Sequence, residues 1–203
     1  RFDPNRIANA GEFMDWLTRE KTDAEITDYL LEHCTVDDLE GILITARNKN
    51  TPRKSTVEFG WVVGIPNKVA SDSHFHVKLV RDAGSEEKGE EGANVGQNIY
   101  HRPVNSGSYA VVLNVDAGRI GFNDISRRYV IGEKERMERY KGLVKSIIFS
   151  FLEPKGAMRN TQNVHITSFS GVLTASSSCV PAPTISPLKN DYKEQVASIT
   201  SAV

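Results

Sequence analysis

Between Lys155 and Asn163 the chain sets Gly156 and Ala157 beside Met158, Arg159, Asn160, Thr161 and Gln162. Small residues there allow close backbone approach, a cation stands on either side, and the amides offer both donors and acceptors. Such chemistry suits a phosphate–sugar backbone better than a small apolar substrate. A second stretch, 47–55, has similar content in Arg47, Asn48, Lys49, Arg53, Lys54 and Ser55. Either stretch alone is also what a solvated connection looks like, because Gly and Asn are ordinary loop residues. Together they say more, since each adjoins a predicted strand and both can lie at the end or face of one sheet. Arg47, Lys49, Arg53, Lys54, Lys155 and Arg159 would then contact phosphates, and Asn48, Asn160 and Gln162 would meet 2′-hydroxyls.

The histidines offer a different chemistry. His74 and His76 stand two apart in a strand-like run, so they share one face, and His101 is placed to meet them across a hairpin. No carboxylate or cysteine completes a ligand set, so no metal site and no cofactor is expected. A histidine acid–base pair of the kind used by metal-independent ribonucleases stays open as an alternative. His33 and His165 read as structural. Neither a Gly-x-Ser-x-Gly elbow nor a phosphate-binding Walker sequence occurs, so nothing in the chain demands an enzyme.

The elements that must position these residues follow from periodicity. Phe13, Trp16, Leu17, Ile26, Leu30 and Leu31 recur at helical spacing over 9–33. Thr35 to Asp38 reads as a turn of cap-type residues. Ile42, Leu43 and Ile44 form a short apolar run, and 57–63 reads as a strand ended by Gly64 and Pro66. Residues 74–80 alternate, an acidic Gly-rich stretch follows over 84–96, and 97–102 supplies a second arm, so a protruding hairpin is predicted. The apolar run 108–115 predicts a strand central in a sheet. The helix predicted over 133–152 gathers Met137, Tyr140, Val144, Ile147, Ile148 and Phe151 on one side, with Lys134, Glu135, Glu138, Arg139 and Lys145 mostly opposite. A Thr/Ser-rich strand is predicted over 164–174, and a second helix over 186–202. This order is α+β and fits a ferredoxin-like or RRM-like sheet carrying large insertions.

Composition narrows the functional classes. In 203 residues, Lys+Arg 25 against Asp+Glu 26 leave a net charge of −1, which argues against a generic salt-driven coater of nucleic acid. Any such surface must be a local basic patch, balanced by acids concentrated over 23–38 and 85–91. Two cysteines, Cys34 and Cys179, make no disulfide framework and point to a reduced, cytoplasmic setting. No signal peptide or membrane span is expected. The chain opens on Arg1 rather than Met, which leaves room for a strand ahead of it.

The run Asp38-Leu39-Glu40-Gly41-Ile42-Leu43-Ile44, followed by Pro52-Arg53-Lys54-Ser55-Thr56-Val57-Glu58-Phe59-Gly60-Trp61, resembles the backbone subunit of type I CRISPR Cascade complexes, in its DevR-like branch of the RAMP superfamily. The likeness continues in order through Gln97-Asn98-Ile99-Tyr100, Ser108 to Val112, Asp116, Arg119-Ile120-Gly121 and Gly156-Ala157-Met158-Arg159, covering roughly 37–174. It implies a single domain over 1–203: a modified RRM-like palm, helical fingers over 9–38 and a hairpin thumb over 66–100. It also implies a non-catalytic subunit that polymerises along a guide RNA and presents it for pairing with a target DNA strand, beside further copies of itself and other Cascade subunits. The loops with Arg53, Lys54 and Ser55 and with Lys155, Met158, Arg159 and Asn160 would cradle the guide. Phe75, Val77 and Ile99, with Gln97 and Asn98 alongside, would form the thumb that displaces a base. The RNA-cutting aspartate loop of related type III subunits finds no match here, so no nuclease activity is expected. A histidine endoribonuclease of the same superfold, processing precursor RNA, and a generic RRM-like RNA-binding module are the alternatives.

Overall fold

The computed structural model describes residues 8–19, 21–46, 49–79, 97–154, 164–178 and 180–202, for 46, 76–79 and 97–100 by their backbone. The fold is α+β, built from short antiparallel pairings and helices, and is consistent with an RRM-like chain. It divides into two compact units: 1–60 with 113–170, and 61–112 with 171–203.

Three helices precede the first strand among the described residues of the first unit. In α1 (Ala10–Thr18), Asn9 caps the first turn by accepting from the Glu12 amide. In α2 (Asp23–His33), Thr22 and Glu25 form a reciprocal capping box. The break between α1 and α2 divides a segment whose periodicity reads as one helical stretch. Phe13, Leu17, Ile26 and Leu30 close over Ile44 as one apolar cluster, with Met14, Tyr29 and Ile42 packed against it. The turn expected at Thr35 to Asp38 is instead a short helix, α3 (Thr35–Glu40). Tertiary contacts hold it, because Asp38 and Leu39 are both buried. It ends at Gly41, whose φ of 77° and closeness to the Arg53 carbonyl (a Cβ would stand 2.4 Å away) admit only glycine.

Strand β1 (Ile42–Ala46) pairs antiparallel with β2 (Lys49–Arg53), in register from Ile42↔Arg53 to Ala46↔Lys49. The stretch expected to be a basic loop is therefore half strand. β3 (Val57–Phe59) is shorter than expected and takes its partner from a distant part of the sequence, β6 (Leu113–Val115). After a 3-10 turn at Ala117–Arg119, β7 (Phe122–Asn123) and β8 (Arg128–Tyr129) form a small hairpin. Helix α4 (Glu133–Leu152) has the predicted bounds but not the predicted face. Its buried stripe is Arg139 and Leu143, flanked by the half-buried Arg136 and Ile147, while Met137, Tyr140, Ile148, Phe149 and Leu152 are exposed. Leu143 joins Leu39 and Ile120 in a second core, bordered by Val57, Val115 and Ile147. The strand expected over 164–174 is absent, because these described residues take no ladder position.

The second unit is dominated by a hairpin ribbon of β4 (Val63–Leu79) and β5 (Gln97–Ala110). β4 runs through Gly64 and Pro66, which were expected to end a strand. The register shift between Gly64 and Val69 leaves Pro66 without a ladder position, so its missing N–H costs nothing there. Asn67 sits in the same bulge at φ 62°, a conformation asparagine tolerates. The apolar run expected to be one central strand is divided. Ser108, Tyr109 and Ala110 end β5, whereas Leu113 to Val115 form β6. Helix α5 (Tyr192–Ala202) completes this unit.

Candidate nucleic-acid interface

Arg53 is where the structure departs furthest from expectation. Its side chain is 3 % exposed, and every donor of the guanidinium is used inside the protein. Nη2 donates to Asp38 Oδ1 at 2.6 Å and to the Arg119 carbonyl at 3.0 Å. Nη1 donates to the Phe122 carbonyl at 2.9 Å and reaches Asp124 at 3.5 Å, and Nε donates to the Asp38 carbonyl at 3.3 Å. Arg53 therefore has no free donor for a phosphate, which corrects the expectation that it cradles RNA directly.

Asp38, with a side chain 0 % exposed, is the centre of this arrangement. Its second oxygen accepts from Arg139 Nη1 at 2.9 Å, and the Gly121 amide donates to both oxygens at 3.0 Å. Arg139 in turn donates to the Leu31 carbonyl at 2.6 Å and to Glu135 at 2.5 Å. One buried carboxylate, two buried guanidinia and a ring of carbonyls thus join α2, α3, β2, the 119–121 turn and α4. Burial of charge is tolerable only when every polar atom is satisfied in this way. Gly121 must be glycine here: φ is 70°, and a Cβ would stand 2.3 Å from Ile131.

The solvent side of this hub is the short connection Lys54–Ser55. Arg119 donates to the Lys54 and Ser55 carbonyls at 3.3 Å and is itself held by Asp124 at 2.6 Å. The hydrogen bond from Arg119 to Asp124 raises the Arg119 pKa further above its already high ordinary value. Ser55 Oγ lies 3.0 Å from the Leu39 carbonyl, and Thr56 Oγ1 donates to the same carbonyl at 2.9 Å. The backbone is thus fixed from beneath while the Lys54 side chain, 70 % exposed, extends outward to an exposed ion pair with Glu58. That pairing holds the Glu58 carboxyl below the usual carboxylate range. An exposed pair of this kind is weak and screened by solvent, so a phosphate can compete for Lys54. Lys49 is less available: it donates to the Lys21 carbonyl and lies 3.7 Å from Asp23.

Among the other expected RNA contacts, Arg47, Asn48, Lys155, Met158, Arg159, Asn160 and Gln162 lie outside the described residues. In the second unit, Phe75 is exposed on β4 and meets His101 edge-on, ring centres 5.6 Å apart. Val77↔Ile99 and Leu79↔Gln97 continue the register of Phe75↔His101, and Asn98 pairs with Lys78. His101 is consequently not on the face of His74 and His76, as expected, but on the opposite one, with Ser73 Oγ 3.2 Å from its Nδ1. No cluster suited to a metal occurs among the described residues. His33 stacks on Tyr29 at 4.1 Å, consistent with a structural part, whereas His165, expected to be structural, is exposed. No helix among the described residues is long and apolar enough to cross a membrane.

Sequence reasoning missed Asp38, Arg139 and Asn123 as organising residues. Asn123 is fully buried, donates to the Ala24 carbonyl and to Asp28, and accepts from the amides of Ile125 and Ser126. Asp38 and Arg119-Ile120-Gly121 stood in the sequence without a role and Arg53 with an RNA-binding one, and the hub gives them a shared structural role.

Compared with known families, residues 3–197 match the model of the family described as CRISPR-associated negative auto-regulator DevR/Csa2. No curated protein matches the chain.

Proposed function

We propose a role from this premise: the chain belongs to the CRISPR-associated DevR/Csa2 family. It is a non-catalytic subunit that binds CRISPR guide RNA, packs against further copies of itself and other Cascade-type subunits, and presents the guide for pairing with target DNA. The cytoplasm is its expected location. The observation that carries this reading is the ribbon of β4 and β5, with the exposed Phe75 set against His101 on one face. An aromatic ring held on a rigid ladder can stack on or part a base step without reading its identity. Sequence-independent binding is what a guide carrier requires, because the guide rather than the protein reads the target. The pinned Lys54–Ser55 backbone supports the same reading as a pre-ordered phosphate contact.

The exposed apolar side chains fit an assembling subunit. Trp61, Phe149 and Leu173 are 91 %, 65 % and 95 % exposed, more than a monomer needs to leave in water. Phe75→Ala together with Ile99→Ala is expected to leave first-copy RNA binding nearly intact and to weaken multi-copy assembly, read by native mass measurement on guide RNA. An equal fall in single-copy affinity would contradict the base-displacing role. Incubating repeat RNA with the protein in EDTA tests the non-catalytic part: uncut RNA is expected, and cleavage abolished by changing His74 or His76 would favour the ribonuclease alternative.

A further inference from the structure

Helices α1 and α2 meet through three rings. Phe13 lies 5.9 Å from Trp16 and 6.0 Å from Tyr29, and Trp16 meets Tyr29 edge-on with centres 5.0 Å apart. Phe13 is buried in the core, whereas Trp16 is 47 % exposed and lies outside the apolar cluster that these helices cover. His33 stacks on the half-buried Tyr29 at 4.1 Å, so the ring that Trp16 leans on is itself held. The chain already places a cation on the exposed indole: the Lys21 ammonium stands over it, 4.4 Å from its centre. Such a contact uses the negative face of the ring, which tryptophan offers best. The surrounding charge has the same preference, since over 9–33 carboxylates outnumber lysine and arginine seven to two. Asp23 and Asp28 are paired with Lys49 and Arg128, and Glu25 closes the α2 cap. Glu12, one turn before Trp16, and Glu32, three residues beyond Tyr29, are exposed.

We propose that this aromatic and acidic face of α1 and α2 docks an arginine-bearing segment of a different protein. A guanidinium is planar and weakly hydrated, so it can stack on the Trp16 indole, and further cations of the same segment meet Glu12 and Glu32. Lys21 is then an internal occupant of the ring face that the incoming guanidinium displaces. Its ammonium is strongly hydrated and sits on a flexible stem, so it gives up the ring readily. A nucleobase can also stack on an indole, but its phosphates would enter a field of carboxylates. None of the residues assigned above to guide RNA takes part, so this site stands or falls separately from the nucleic-acid reading.

The test titrates the full-length chain with a nona-arginine peptide. The chain has two tryptophans, so Trp61→Phe leaves Trp16 as the one fluorescent reporter. Arginine peptide is expected to shift the Trp16 emission saturably, and nona-lysine to bind more weakly. Trp16→Ala should lower the affinity for labelled peptide about fivefold. Lys21→Ala should raise it, because the ring face is released. That gain should vanish when Trp16→Ala is already present, whereas a gain from lost charge alone would persist. Thermal melting matched to the parent shows which variants remain folded. If Trp16→Ala melts early, Lys21→Ala still decides, since an unchanged affinity there overturns the proposal. A Lys21→Ala gain that survives without Trp16, or an equal emission shift with a single-stranded oligonucleotide, would overturn it as well. So would sedimentation in which Trp16→Ala separates copies of the chain, which would make a second copy the occupant.

Discussion

At the scale of single residues, Asp38 and Arg53 decide how the first unit holds together. Removing one partner of a buried, hydrogen-bonded charge cluster strands the others, at a cost of about 3–5 kcal/mol. Arg53→Ala and Asp38→Asn are therefore expected to lower the urea midpoint sharply, whether or not RNA is present. An Arg53→Ala chain of parental stability with weakened RNA binding would restore Arg53 as a direct contact. Cys34 gives a second prediction. It is buried, and burial pushes its thiol pKa up, so it should resist alkylation in the native protein and react only on unfolding. Rapid labelling under native conditions would contradict its placement. Arg53 could not be read correctly from sequence because its partners are distant. Asp38 lies fifteen residues away, and Arg119 and Phe122 lie more than sixty. A lysine- and arginine-rich string looks solvated until the fold supplies a carboxylate beneath it.

Among the elements, local signals were legible and pairings were not. Glu133–Leu152 was readable to its ends because a long polar–apolar alternation, closed by Pro154, needs no tertiary information. Its inward face was misread, since Arg139 takes a core position that apolar periodicity assigns to Met137 or Tyr140. The pairing of β3 with β6 across more than fifty residues carries no local sequence signal, and the bulge at Gly64–Val69 let a proline pass through a strand. The start of α2 is testable at this scale. Thr22→Ala removes the capping box and should cost about 1 kcal/mol. Hydrogen bonds from Thr22, its backbone amide first, hold the Glu25 carboxyl below its ordinary value. A depressed carboxylate stabilises the fold above its unfolded pKa and loses that contribution as pH falls through its lowered folded value. The stability gap between parent and Thr22→Ala should accordingly narrow on acidification. A gap that is constant with pH would remove Glu25 from the cap.

For the whole molecule, the family match spans both compact units, while their chemistry remains distinct. One unit presents a backbone segment braced by a buried charge cluster, and the other a two-faced ribbon. A near-neutral chain suits the proposed subunit, whose surfaces would meet protein as well as nucleic acid. The most direct test is to purify the protein with the products of its own operon, wash at high salt, and sequence the RNA that remains. Repeat-flanked spacer RNAs on a particle several copies long are the predicted result. Heterogeneous cellular RNA, or no RNA at all, would contradict the guide-binding account.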